Sequence, residues 1–223
     1  MTNPSFSPSP QEQLRNFWNQ RFAPDVYAYG TAPNDFLAQQ ADRLQGLPAG
    51  APVLCLADGE GRNGVWLAGQ GFAVTSVDLS DAGLAKAQAL AAQRGVSITT
   101  VHADVTSFEL APAHWAAIVC IFLHLPSQQR RSLHRRCAAA LQPGGLFIHE
   151  AYSPGQLALG TGGPKDADML PTLADLTQDF ADLDSVDGLT TEHQFAGVRP
   201  VIEGALHSGN GEVVQLVLRR TSA

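Results

Sequence analysis

Apolar positions along this chain follow two alternating periods. Short apolar runs of strand length fall at 52–57, 73–77, 97–101, 116–122 and 146–151. Between them lie stretches of helical character, clearest at 81–94 and 127–141. Regular strand–helix succession predicts parallel strands joined by right-handed crossovers, with helices covering the sheet. Leu141-Gln-Pro-Gly-Gly145 ends the second of these helices, because Pro and Gly past a helix end do not extend it. After 151 the rhythm changes. Residues 153–171 hold three prolines and four glycines and read as a long mobile loop. A helix over 173–183 and two alternating strands over 190–198 and 211–220 follow, the strands joined through a segment containing His207. The expected fold class is α/β, a seven-stranded mixed sheet of five parallel strands plus a C-terminal antiparallel pair.

The first residues stand apart from that core. Residues 1–12, rich in Pro and Ser, are expected to form a disordered tail, and 13–223 a single domain. Within it, 13–46 reads as an N-terminal lid. An amphipathic segment with Leu14, Phe17 and Trp18 opens it, a turn-rich stretch over 25–34 follows, and a short helix carries Phe36, Leu37 and Leu44. The strand–helix alternation begins only afterwards, so a chain starting near Ala41 is expected to keep its fold.

Composition narrows the function classes. A chain of 223 residues suits one sizeable domain, and 44% hydrophobic content is enough to give it a core. The net charge of −7, without a basic run, argues against a nucleic-acid partner. Cys55, Cys120 and Cys137 are widely spaced, with no C-x-x-C and no H-E-x-x-H, so neither a disulfide framework nor a metal is expected. No apolar signal core and no run of bilayer-spanning length is present. A cytoplasmic setting, no membrane partner and a monomer are the favoured expectations.

Chemistry concentrates in Val53-Leu-Cys-Leu-Ala-Asp-Gly-Glu-Gly-Arg-Asn-Gly64, a buried strand followed by a glycine turn and a helix start. Such a turn brings backbone N–H groups and a positive helix end to a carboxylate or phosphate. About twenty residues on, Val77-Asp78-Leu79 ends the next strand in an acid suited to both hydroxyls of a ribose. Together they specify a nucleoside-containing cofactor. Gly59-x-Gly61-x-x-Gly64 fits the dinucleotide fingerprint, and equally a turn that wraps the amino-acid end of S-adenosyl-L-methionine (SAM).

The antiparallel ending separates the two. With Asp104-Val105 after the third strand, Ile121–Leu125 ending the fourth and Leu141-Gln-Pro-Gly-Gly-Leu146 entering the fifth, the chain resembles the Rossmann-like class I SAM-dependent methyltransferases. Phe17-Trp18-Asn-Gln-Arg21-Phe22, Tyr29-Gly30-Thr-Ala-Pro33-Asn34-Asp-Phe36-Leu37 and Glu203-Gly-Ala-Leu-His207 are similar to the tellurite-resistance and thiopurine branch of small-molecule enzymes. The resemblance implies SAM as cofactor, S-adenosyl-L-homocysteine (SAH) as product, and a small acceptor, possibly a thiol or chalcogen compound. It places Asp58, Gly59, Gly61, Arg62 and Asn63 at the methionine part, Asp78 and Leu79 at the ribose, and Asp104 and Val105 at the adenine. Phe122, Trp18 and Tyr29 complete the expected cofactor site, and His207 is the candidate acceptor-side base. His124, His149 and Glu150, near the strand ends, are expected to face the same cleft.

Three departures from the family pattern stand out. The acid that often holds the methionine ammonium is replaced by Cys55, leaving Asp58 either to take that role or to cap the following helix. The first glycine of the motif is Ala57, and Ser208 stands where tellurite-handling relatives carry arginine after the histidine. An NAD-type oxidoreductase and a non-catalytic SAM-binding domain are the alternatives these residues leave open.

Overall fold

The computed structural model describes residues 8–181, 188–204 and 207–221. It opens with α1 (Pro10–Phe22), α2 (Asp35–Gln39) and α3 (Ala41–Gln45). The alternation then runs β1 (Pro52–Leu56), α4 (Arg62–Gly69), β2 (Ala73–Asp78), α5 (Asp81–Gln93) and β3 (Thr99–His102). It continues through β4 (Trp115–Ile121), α6 (Ser127–Ala140) and β5 (Leu141–Tyr152). Short helices α7 (Gln156–Leu159) and α8 (Leu173–Asp179) lead into the hairpin of β6 (Leu189–Glu203) and β7 (His207–Arg220).

Among the described residues the strands form one sheet in the order β3-β2-β1-β4-β5-β7-β6, parallel as far as β5 and antiparallel at β7 and β6. Side chains alternate across it. Leu54 and Leu56 join Leu133 and Cys137 of α6 and Leu176 of α8, while Val53 and Cys55 join Phe36, Leu37, Leu44 and Leu67 on the opposite face. Burial on both faces explains why β1 reads as an unbroken apolar run. All three cysteines are buried and free. The connection out of β3 crosses back over the sheet, so a crevice opens beyond the carboxyl ends of β1 and β4, where ligands of open α/β sheets bind. The antiparallel β7 between β5 and β6 departs from the all-parallel dinucleotide order.

Four segments differ from expectation. First, α1 starts inside the stretch expected to be disordered, because Ser9 and Glu12 form a capping box around Pro10. Second, β6 and β7 are longer than their alternating cores and pair down to Glu203↔His207, so His207 opens a strand. The outer position of β6 leaves Val198 and Ile202 exposed and tolerates Pro200, which blurs its sequence pattern. Third, the stretch expected to be a loose loop is tied down. Glu212 N–H donates to Gln156 Oε1 at 3.0 Å, Ser153 Oγ donates to Glu212 Oε1 at 2.8 Å, and Leu170 is buried with Tyr152, Val201 and Val213. Fourth, the helix expected over 173–183 stops at Asp179, and 182–187 lie outside the described residues. No described helix is long and apolar enough to cross a membrane.

Candidate cofactor and acceptor site

Two strained residues flank the crevice. Ala57 at the end of β1 has φ 54° and Phe122 at the end of β4 has φ 53°, both left-handed and neither glycine. Each costs on the order of 1–3 kcal/mol, and such residues cluster where a ligand must be met. Gly61, at φ 83°, is required by its surroundings, since a Cβ there would come 2.5 Å from Ala87 Cβ. This close packing seats the glycine turn against α5.

Asp58 lies under that turn, buried. Its carboxylate accepts from Ser76 Oγ at 2.6 Å and from the Gly64 N–H of α4 at 3.2 Å. Burial pushes its pKa up to about 7, which these hydrogen bonds only partly offset. Asp78 Oδ2 accepts the Gly59 N–H at 2.8 Å and Oδ1 accepts the Ser80 N–H at 2.8 Å. Burial raises this carboxyl as well, against the backbone N–H groups of Ser80, Gly59 and Leu79. A carboxylate has about four lone-pair sites, so Asp78 keeps acceptor capacity for a ribose hydroxyl. Leu79 follows it, its carbonyl 3.0 Å from His102 Nε2. Asp104, beyond β3, accepts from Thr106 N–H at 2.8 Å and from Gln11 Nε2 at 3.1 Å. Val105 is buried in the main core.

Helix α1 crosses these strand ends. Gln11 reaches Asp104, Asn19 Oδ1 accepts from Ser80 Oγ at 2.6 Å, and the Phe22 ring lies over Gly59. Trp18 stacks on Phe22 with centroids 5.6 Å apart, and Arg21 Nη1 donates to Tyr29 Oη at 3.0 Å. Burial raises the Tyr29 phenol despite that guanidinium. Glu60 in the glycine turn accepts the Ala28 N–H at 2.7 Å and pairs with Lys86 of α5, fastening the chain after α1. A surface depression of about 710 Å³ lies beside Thr106, Glu109, Pro112 and Arg136.

The remaining expected residues are distributed differently. Arg62 Nη2 donates to Glu203 Oε2 at 2.6 Å, and Asn63 Oδ1 accepts the Asn34 N–H at 2.9 Å. Both thus serve contacts between α4 and distant segments. Phe122 packs on Tyr152 with centroids 4.6 Å apart, and His124 Nε2 accepts the Tyr152 N–H at 3.1 Å. The expectation that His149 faces the cleft is corrected. Its ring is buried beside His134 of α6, with neither nitrogen partnered among the described residues, and burial holds its pKa well below the usual range. Strand alternation turns it away from the side that Glu150 takes. Glu150 is buried among Asn34, Arg199 and Gln215. The His207 side chain lies outside the described residues. Sequence reasoning passed over Asn19 and Asn34 as site residues and took Phe22 with Trp18 and Tyr29 as an aromatic run of the lid. Only their place in the aromatic and Tyr29–Leu37 motifs hinted at them.

Residues 53–145 match the family model described as a methyltransferase domain. The matched segment runs from β1 into β5 and carries the glycine turn, Asp78 and Asp104. The fold is similar to that of the protein solved for "conversion of a disulfide bond into a thioacetal group during echinomycin biosynthesis", at 19% identity, 95% of this chain, 91% of that chain and TM-score 0.73. It is similar also to magnesium protoporphyrin IX methyltransferase from Synechocystis PCC 6803 with bound SAH, at 16% identity, 95% and 99% coverage and TM-score 0.65. A third likeness is the [4+2]-cyclase SpnF, at 14% identity, 98% and 100% coverage and TM-score 0.67. No curated protein matches the chain. At such identities the likeness concerns the fold, and the reaction has to be argued from the site.

Proposed function

We propose that the protein binds SAM across the carboxyl ends of β1, β2 and β3 and methylates a small thiol-like or chalcogen acceptor. The observation that carries this reading is the Asp78–Gly59 hydrogen bond of 2.8 Å, which brings the ribose-type acceptor and the glycine turn into one surface. SAM supplies a methyl group on a sulfonium, so a soft nucleophile needs alignment more than a strong base. Gly59, Gly61 and Asp58 hold the methionine part, while Arg62 and Asn63 set the start of α4. Asp78 and Leu79 take the ribose, and Asp104 with Val105 the adenine edge. Phe122, Trp18 and Tyr29 close the reacting centre and exclude water. His207, at the first position of β7, withdraws a proton from acceptors that carry one.

Membership of the tellurite-resistance and thiopurine branch has one structural support. Its two marker segments meet, since a Cβ on Gly204 would come 2.7 Å from Tyr29 Cα and 2.8 Å from Gly30 N. Ser208 in place of arginine disfavours an oxyanion, so thiols are the preferred acceptors over tellurite. Three buried free cysteines support a reducing, cytoplasmic setting.

Mass spectrometry of ligand released from the purified protein tests the cofactor, and SAM or SAH is expected. Affinity for NADH without affinity for SAH would overturn the reading in favour of an oxidoreductase. A methylation panel of thiols, selenite, tellurite and simple amines tests the acceptor. His207→Ala is expected to lower turnover while keeping SAH affinity, the signature of a group acting on the acceptor. Preferred methylation of tellurite would remove the acceptor assignment, and full turnover in the variant would remove His207.

A further inference from the structure

Asn34 sits at the centre of a buried polar cluster drawn from five separate parts of the chain. Its Nδ2 donates to Glu150 Oε2 of β5 and to Glu203 Oε1 of β6, each at 2.7 Å. Its Oδ1 accepts the Leu37 N–H at 2.8 Å, its own N–H donates to Asn63 Oδ1 at 2.9 Å, and its carbonyl accepts from Ala38 at 3.0 Å. Every polar group of this fully buried residue therefore has a partner. Around it, Arg62 of α4 pairs with Glu203 at 2.6 Å and Arg199 of β6 with Glu150 at 2.6 Å, while Gln215 of β7 donates to Glu150 at 2.7 Å. Two carboxylates face two guanidiniums, so the charges balance without Asn34. Its amide adds something else, one rigid fork tying both acids to the N-terminal segment.

The positions of these partners give the fork a consequence. Arg62 and Asn63 open α4 directly after Gly61, so they set the glycine turn. Glu203 precedes Gly204, whose backbone packs against Tyr29. Tyr29 in turn is held by Arg21 of α1. A continuous path of contacts thus runs from the glycine turn through Asn34 to the helix that covers it. We propose that Asn34 is a positioning residue that latches the N-terminal cover, through Glu150 and Glu203, to the start of α4. This rests on the SAM-binding reading only in what the cover encloses.

Asn34 is also the member that can be changed most cleanly. Removing either acid or either arginine would strand a buried charge, with a penalty unrelated to latching. Asn34→Ala removes two donors and the Oδ1 cap on the Leu37 N–H, and leaves charges paired. Asn34→Asp places a third carboxylate between two acids, and it can donate again only when protonated. The charged or titratable groups bearing on this position are Glu150, Glu203, Arg199 and Arg62, and Tyr152 and Asp35 act on the same group.

The test combines hydrogen exchange with SAH calorimetry on the full chain at pH 6 and pH 8. In Asn34→Ala, amides of residues 10–22 should exchange about tenfold faster and SAH affinity should fall about tenfold, the worth of one charge-assisted hydrogen bond. Amides of β1 and β4 should keep their protection. Asn34→Asp should lose both properties at pH 8 and recover part of each at pH 6, where its carboxyl offers one O–H to one of the two acids, with the wild type as control at each pH. Loss of protection in β1 and β4 in step with α1 would overturn the latch, as would an Asp variant that follows the Ala variant at both pH values. Wild-type protein that does not take up SAH would sink the cofactor reading, and the exchange data alone would then decide the latch.

Discussion

The ring of Phe22 stands over Gly59, close enough that a Cβ on Gly59 would meet Phe22 Cζ at 3.1 Å. The last turn of α1 is thereby in contact with the glycine turn at the heart of the site. Packing on the sheet core does not require this, because α1 buries only Phe22.

A chain beginning at residue 24 should therefore fold and lose SAH affinity. It removes α1 but keeps Asn34, Phe36, Leu37 and Leu44. A chain beginning near Ala41, which the strand–helix alternation alone leaves intact, should not fold. It deletes Phe36 and Leu37, 1% and 0% exposed, and the buried Asn34. Losing each large core side chain costs about 2–5 kcal/mol. Circular dichroism of both shortened chains with SAH calorimetry of the first checks this, and unfolding of the chain begun at 24 would make α1 a brace only.

Asp78→Ala should weaken SAH by about 1–3 kcal/mol, since it removes charge-assisted acceptors for ribose hydroxyls. It also leaves the Gly59 and Ser80 N–H groups without their partner. Calorimetry is decisive, and unchanged affinity would take Asp78 out of the site.

The elements that local pattern revealed are the strands of the parallel core and the helices between them. Residues 52–57 were expected as the first strand and β1 is Pro52–Leu56; 81–94 was expected as a helix and α5 is Asp81–Gln93. Apolar content and helix caps are local properties, so they are written where they act. The Asn34 cluster is not. Its partners Glu150 and Glu203 lie 116 and 169 residues away, and no local period announces such a meeting. One signal was available: Glu150 follows the apolar run 146–148, and an acid inside a buried strand demands partners. The Gly59 turn and Asp78 were legible as a pair because βαβ connectivity fixes their proximity. That Asn19 and Phe22 lie over them depends on how α1 docks, which the chain's alternation does not encode.

Ala57→Gly should stabilise the protein by about 1 kcal/mol. Ala57 holds φ 54°, where a Cβ costs roughly 1–2 kcal/mol and glycine pays mainly in unfolded-state entropy. Urea unfolding measures the change. A neutral or negative result would mean that the methyl group packs well enough to offset its strain. Phe122, at φ 53°, shares the geometry, but its ring packs on Tyr152, so Phe122→Gly should destabilise.

Asp58 makes a prediction with a definite sign. Burial lifts its pKa from 3.8 to about 7, so between these values the folded protein holds a proton that the unfolded chain has released. Its contribution to stability is greatest below pH 4, declines as pH rises to about 7, and is level above that. The span sets a ceiling of roughly 4 kcal/mol. Asp58→Asn should remove this slope, seen as the difference between wild-type and variant urea curves from pH 4 to 8. Cofactor binding then separates the two roles left open for this residue. If Asp58 receives the ammonium of SAH in place of the acid absent at Cys55, the incoming cation will ionise it. Binding near pH 6.5 will release a proton, and calorimetric enthalpies will vary with the ionisation enthalpy of the buffer. If Asp58 only ties Ser76 and Gly64 together, enthalpies will not depend on the buffer and Asp58→Asn will bind SAH as well as the wild type does. We expect the proton release, because a carboxyl poised at about 7 beneath the glycine turn is the group there whose charge a bound cation can change most.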